Sequence, residues 1–284
     1  MGVARNIRLY IPYHVLSLEG ICHGLYIVWL LQHKGLSPAF LALVLALGDL
    51  VLMVAHVPTG LLADRLGRRW SLVVGSAVQV AGLALMWLGS GPWAFAASAL
   101  AIGVGDAFRG GADEALLYES LARLGREAEF ERRVARTGAW AQSALVVQVL
   151  LGGALVARFG FDAAWALEVA FALGGLVLAL AMVEVPGAAI SGSKPEIQVA
   201  ARSGAFARFV PILVPASVAG ALAGVASYGV EASWPGDPAA VARLTWVVAL
   251  FMSAEAAGSF LAARRRPGSS DGQTLCGLAA VGVA

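Results

Sequence analysis

Two clusters of ionisable side chains fall inside apolar runs, where a charge has most reason to be absent. Glu19 is followed four residues later by His23. On a helix, positions i and i+4 share a face, so this spacing predicts a carboxylate beside an imidazole. Imidazole titrates near neutral pH, so such a pair could pass a proton; the plainer alternative is a hydrogen-bonded pair that fixes packing. Further on, "GVGDAFRGGADEALLYESL" (103–121) places Asp106, Arg109 and Asp113 at i, i+3 and i+7. The spacing predicts one charged stripe in which Arg109 has an acid one turn away on either side. The stripe is either a binding site or an internally neutralised ladder. Glu114 is expected off it.

The chain has 284 residues, of which 59% are hydrophobic and only 13% charged. Soluble domains carry about 25% charged residues, so the composition points to an integral membrane protein. A net charge of +2 gives no reason to expect a nucleic-acid partner. Cys22 and Cys276 lie in apolar runs, which does not suggest a disulfide framework. The four histidines lack metal-ligand spacing, and no nucleophile elbow, phosphate loop or zinc motif is present. We therefore expect no enzyme activity, no catalytic residues, no metal and no cofactor.

A helix needs about 20 apolar residues to cross a bilayer. Spans are predicted near 10–31, 38–63, 70–90, 93–121, 138–158, 161–184, 207–230 and 239–263, and a ninth begins near 274. The first is read as a retained span rather than a cleaved signal peptide. Glu19 then lies roughly 14 Å from the inner end of its helix, at 1.5 Å per residue, near mid-membrane. A charge there is a functional-site hypothesis by default.

The connections alternate in charge. One set holds Arg5 and Arg8, the arginines at 65, 68 and 69, five between 123 and 136, Lys194, Arg202 and Arg208, and Arg264 to Arg266. That is sixteen of the twenty basic residues. The other set holds Lys34, Arg158 and Arg243. Cytoplasmic loops carry the basic excess, so the N-terminus is expected in the cytoplasm. The segment 185–206, rich in Gly, Pro, Ser and Ala, reads as a cytoplasmic linker. It separates a six-helix half (1–184) from a partial second half (207–284). Preference for arginine over lysine, with abundant alanine and glycine, suits a GC-rich bacterial genome.

"PTGLLADRLGRRW" (58–70) joins the second and third spans. Gly60, Asp64, Arg65, Gly67, Arg68 and Arg69 match every defined position of G-x-x-x-D-R/K-x-G-R/K-R/K, and in the right loop. The segment resembles the signature loop of the major facilitator superfamily. "GSFLAARRRP" near the end of the eighth span resembles a degenerate second copy. The fourth span resembles that of bacterial members of the "SGA-x-E-A-L-L-Y-D" type, with Arg109 where a small residue is usual and Glu119 in place of Asp. The fifth span has Gly152 and Gly153 but lacks the Gly-Pro pair of proton antiporters, which puts drug/proton antiport in doubt.

The resemblance implies an all-α polytopic membrane fold, here with a complete N-terminal half and about two and a half helices of the second. The chain therefore looks truncated within its ninth helix. The resemblance also implies that the loop and Glu119 form a state lock. Gly60 and Gly67 would allow a tight turn and close approach. Asp64 would cap the next helix or face helix N-termini across the half-to-half interface, and Arg68 would reach Glu119. The bland alternative is a charged topology anchor. By the same resemblance Glu19 and Arg109 face a shared cavity, with Arg109 a candidate anchor for an anionic group.

Weaker candidates are Asp49, His56 and Glu255, read as helix contacts. Glu168 is read as snorkelling to the outer interface, and Trp29, Trp87, Trp93 and Trp165 as belt anchors. The pairs Gly20–Gly24 and Gly220–Gly224 are read as close-packing sites. The function expected is secondary active transport of a small solute across a bacterial inner membrane by alternating access, with protons as a candidate coupling ion. The alternative is a truncated, non-transporting membrane protein, either a pseudogene product or an assembly partner.

Overall fold

The structure, a computed structural model, describes residues 2–185, 240, 243–250 and 253. The linker beyond residue 185, the whole of the seventh predicted span, most of the eighth and the ninth lie outside the described residues. So do Glu255, the Gly220–Gly224 pair and the side chain of Asp64.

Every regular element among the described residues is helical. The order is α1 (Val3–Leu16), α2 (Tyr26–Val28) running into a π-turn (Trp29–His33), α3 (Pro38–Leu66), α4 (Arg68–Leu88), α5 (Pro92–Arg109), α6 (Ala112–Ala122), a 3-10 turn (Glu127–Glu129), α7 (Phe130–Phe159) and α8 (Phe161–Ala181). Local chemistry sets several boundaries. Ser37 caps α3, its Oγ accepting from the Phe40 amide at 3.2 Å, and Pro38 and Pro92 occupy first turns, where a missing N–H costs nothing. Gly67 and Gly160 take φ of +98° and +85° between consecutive helices, a region that side chains disfavour.

Four stretches are long and apolar enough to cross a membrane: Pro38–His56, Arg68–Leu88, Glu127–Phe159 and Phe161–Ala181. The predicted first and fourth spans are different. Each consists of two shorter helical pieces, α1 with α2 and α5 with α6, interrupted at 17–25 and at Gly110–Gly111.

The helices meet through small residues. A Cβ on Gly103 of α5 would lie 2.7 Å from the Gly48 carbonyl of α3, and one on Gly75 of α4 would lie 2.7 Å from the Gly105 carbonyl of α5. Lipid supplies no hydrophobic drive between helices, so close backbone packing must hold them. A buried cluster at the end remote from the signature loop contains Trp29, Leu83, Met86, Phe95 and Trp165. Trp29 and Trp165 are both 3% exposed, with ring centroids 4.8 Å apart. They are interior packing residues, not belt anchors. Trp93, 78% exposed, fits the belt reading. The helical residues 243–250 lie against α7, where Val149 packs with Ala249 and Gly153 abuts Thr245.

Candidate functional site

The site is built around the interruption at 17–25. Backbone polar groups in a membrane interior must find partners inside the protein. Here the partners are side chains from four other helices. Gln148 of α7 donates from Nε2 to the Val15 carbonyl at 2.8 Å. Arg109 of α5 donates from Nη1 to the Ser17 carbonyl at 3.1 Å, and Gln79 of α4 lies 3.4 Å from the same oxygen. These satisfy carbonyls that the end of α1 leaves open. Beyond the bend, the Cys22 amide donates to Glu168 Oε2 of α8 at 2.7 Å. Glycines make the room. A Cβ on Gly152 would collide with the Ile21 carbonyl oxygen, and one on Gly175 would come within 2.6 Å of Ser17 Oγ.

This geometry corrects three expectations. Glu19 and His23 are not stacked on one helical face, because the backbone between them is irregular and Gly24 takes φ +73°; they share the wall of a cavity instead. Gly24 serves this bend rather than a helix contact, while Gly20 does pack tightly, against Gln148. Glu168 does not snorkel. It is 1% exposed and points inward, holding the bend.

The second interruption divides the predicted stripe. Arg109 Nη2 pairs with Asp106 Oδ1 within α5. Gly111 then adopts φ +77°, and Asp113 starts α6 in a new direction. Asp113 lies 2.9 Å from His14 Nε2 of α1 rather than against Arg109. The three-residue ladder is therefore two separate pairs.

Two cavities adjoin the 17–25 segment, and Gly110 borders the second of them. One, of about 280 Å³, is bounded by the 17–25 segment with α3, α4, α5 and α8. The other, of about 430 Å³, lies toward the signature-loop end and is lined by Tyr13, His14, Arg109 and Asp113. Glu19 and Asp106 line both. Glu19 Oε1 accepts from Gln79 Nε2 at 2.8 Å. Sequence reasoning passed over Gln79 and Gln148. The available signal was an isolated amide in the middle of an otherwise apolar span.

At the signature loop, Arg68 Nε stands 3.6 Å from Glu119 Oε1. The cap on α4 comes from Glu184, just past α8, whose carboxylate accepts from the Arg68 and Arg69 amides at 3.0 and 3.1 Å. Arg69 also donates to the Leu180 carbonyl at 2.9 Å. Gly67 makes the turn, but Gly60 is inside α3 with no described atom near its Cβ position. Arg65 is exposed. At the same end Glu129 bridges Arg126 and Arg133 at 2.6 and 2.9 Å. Glu184→Ala should destabilise the protein by roughly 1 kcal/mol, the size of a lost helix cap. Thermal melting in detergent checks this, and Glu184→Gln should recover part of the loss.

An all-helical bundle with membrane-length apolar helices and two interrupted spans around charged side chains has the construction of membrane transporters. Residues 15–284 match the family described as Major Facilitator Superfamily, and the chain belongs to it. The fold is shared with solved transporters. An aspartate-to-alanine mutant of the nucleoside transporter NupG superposes with a TM-score of 0.63 at 12% identity, over 100% of this chain and 79% of that one. A second NupG crystal structure gives 0.61 at 12% identity, over 100% and 78%. A bacterial homologue of the human drug peptide transporters PepT1 and PepT2 gives 0.54 at 15% identity, over 92% of this chain and 55% of that one. No curated protein matches the chain.

Proposed function

We propose that the protein carries a small solute across a bacterial inner membrane by alternating access, with protons as the coupling ion. The observation that carries this reading is the position of Glu19, on irregular backbone, in the wall of both cavities. A carboxylate there can load a proton from one cavity and release it to the other as the protein rocks. Gln79 holds its carboxylate, and the Asp106–Arg109 pair stands beside it in the second cavity. The signature loop acts as the state lock, with Asp64, Arg68 and Glu119 engaged in one state and released in the other. The Arg68–Glu119 approach supports that role.

The test is counterflow in proteoliposomes. Purified protein should exchange at least one solute among a nucleoside, a dipeptide, a sugar, an organic anion and an organic cation. Absence of exchange for every class would overturn the reading in favour of a non-transporting membrane protein.

Orientation is tested separately. The basic residues cluster at the end where α3 meets α4 and α6 meets α7. A reporter fused after Leu121 should report cytoplasm, and one fused after Gly91 the opposite side. The reverse pattern would invert the topology.

A further inference from the structure

We propose that the cavity of about 280 Å³ binds a small lipophilic organic cation, an aromatic amine or quaternary ammonium, between Glu168, Asp49 and the rings of Trp165 and Tyr26. The proposal names the substrate class of the transport reading and rests on it for movement of the ligand, though not for its binding.

Among the described residues, four carboxylates line this cavity, those of Glu19, Asp49, Asp106 and Glu168, and no lysine or arginine does. Two of them are engaged, Asp106 by Arg109 and Glu19 by Gln79. Glu168 is 1% exposed, and while Oε2 takes the Cys22 amide, Oε1 has no hydrogen-bond partner. A buried carboxylate oxygen without a donor is costly. On a cavity wall, the group that removes the cost is a donor or cation brought in by a ligand. Asp49, on α3, enters no ion pair among the described residues.

The remaining wall is apolar and aromatic, with Leu83, Met86 and Ile102 beside the Trp165 and Tyr26 rings. Carboxylates combined with aromatic faces suit ammonium groups, which are drawn to the negative face of the ring. An anion would meet uncompensated like charge. A sugar would meet too few neutral polar partners. The volume, about 280 Å³, lies just below the range of roughly 300–1,000 Å³ for drug-sized ligands, which suits a single-ring amine.

Purified protein in detergent, titrated with radiolabelled benzyltrimethylammonium, tests the proposal; this probe is permanently charged. Saturable binding is expected, undisplaced by 3-phenylpropionate or uridine. Glu168→Gln should weaken it by about ten- to a hundredfold, because the quaternary ammonium has no N–H and is held by Coulomb attraction to the carboxylate, which the neutral amide no longer supplies. The amide side chain still offers an oxygen to the Cys22 amide, so the bend should survive. If Glu168→Gln melts early, Asp49→Asn decides instead, since Asp49 enters no ion pair among the described residues, and it should weaken binding several-fold. No saturable binding, displacement by 3-phenylpropionate, or unchanged affinity in well-folded variants would overturn the proposal. The counterflow assay keeps the two readings apart. Exchange of uridine or an anion without cation binding retains the transporter and removes the cation site. Glu168-dependent cation binding without any exchange retains the site and removes transport.

Discussion

Arg109→Ala should reduce the monodisperse fraction recovered from membranes to near background, and Arg109→Lys should restore only part of it. Arg109 performs two tasks from one planar group. Its guanidinium donates to the Ser17 carbonyl at the end of α1 and pairs with Asp106 one turn back. Removing it strands a carboxylate and weakens a backbone contact that lipid cannot replace. Breaking a fully buried pair by deleting one partner costs about 3–5 kcal/mol, an upper bound here because the Asp106 side chain is 32% exposed, against a total stability of roughly 5–15 kcal/mol for a typical domain. Lysine has the charge but lacks the fork that serves two acceptors in one plane. Size-exclusion profiles of detergent extracts measure the effect. Combining Arg109→Gln with Asp106→Asn should recover much of the yield, because no charge is then left unpaired. If Arg109→Ala is as monodisperse as the parent protein, its guanidinium does not hold the bend.

The helical membrane class and the signature loop were readable in the sequence because those features depend on composition and local spacing. Charge in an apolar chain is sparse, so each cluster is informative. The interruptions were less readable. "SLEGICHGL" (17–25) is apolar enough to pass as helix, and a helical period applied across it put Glu19 and His23 on one face. The glycines at 20 and 24 were visible, but their use as a bend depends on Gln148, Arg109 and Glu168 arriving from distant helices. Likewise "RGGAD" contained the break between Arg109 and Asp113, yet a regular i, i+3, i+7 count ignores it. Asp113 was legible as a pairing residue; its partner His14, almost a hundred positions away, was not. Glu184 is the same case at the signature loop, since a cap supplied from beyond α8 leaves no mark in the residues around α4.

The second large effect falls on coupling rather than folding. Glu19→Gln keeps an oxygen that can accept from Gln79 Nε2, so the bend and its neighbours should remain in place. What the substitution removes is the ability to gain and lose a proton at the junction of the two cavities. Exchange of solute down its own gradient needs the rocking motion only, whereas accumulation against a gradient needs the proton. The variant should therefore separate two rates that move together in the parent protein.

The measurement that tests the account most directly is made with Glu19→Gln in liposomes carrying an imposed proton gradient, using a solute that shows counterflow with the parent protein. The account predicts that accumulation above the equilibrium level disappears, while solute exchange stays within about twofold, a change of less than 0.5 kcal/mol in the exchange barrier. If Glu19→Gln still accumulates solute uphill from the proton gradient, Glu19 is not the coupling carboxylate and the reading of the two cavities as its alternating proton sources is wrong.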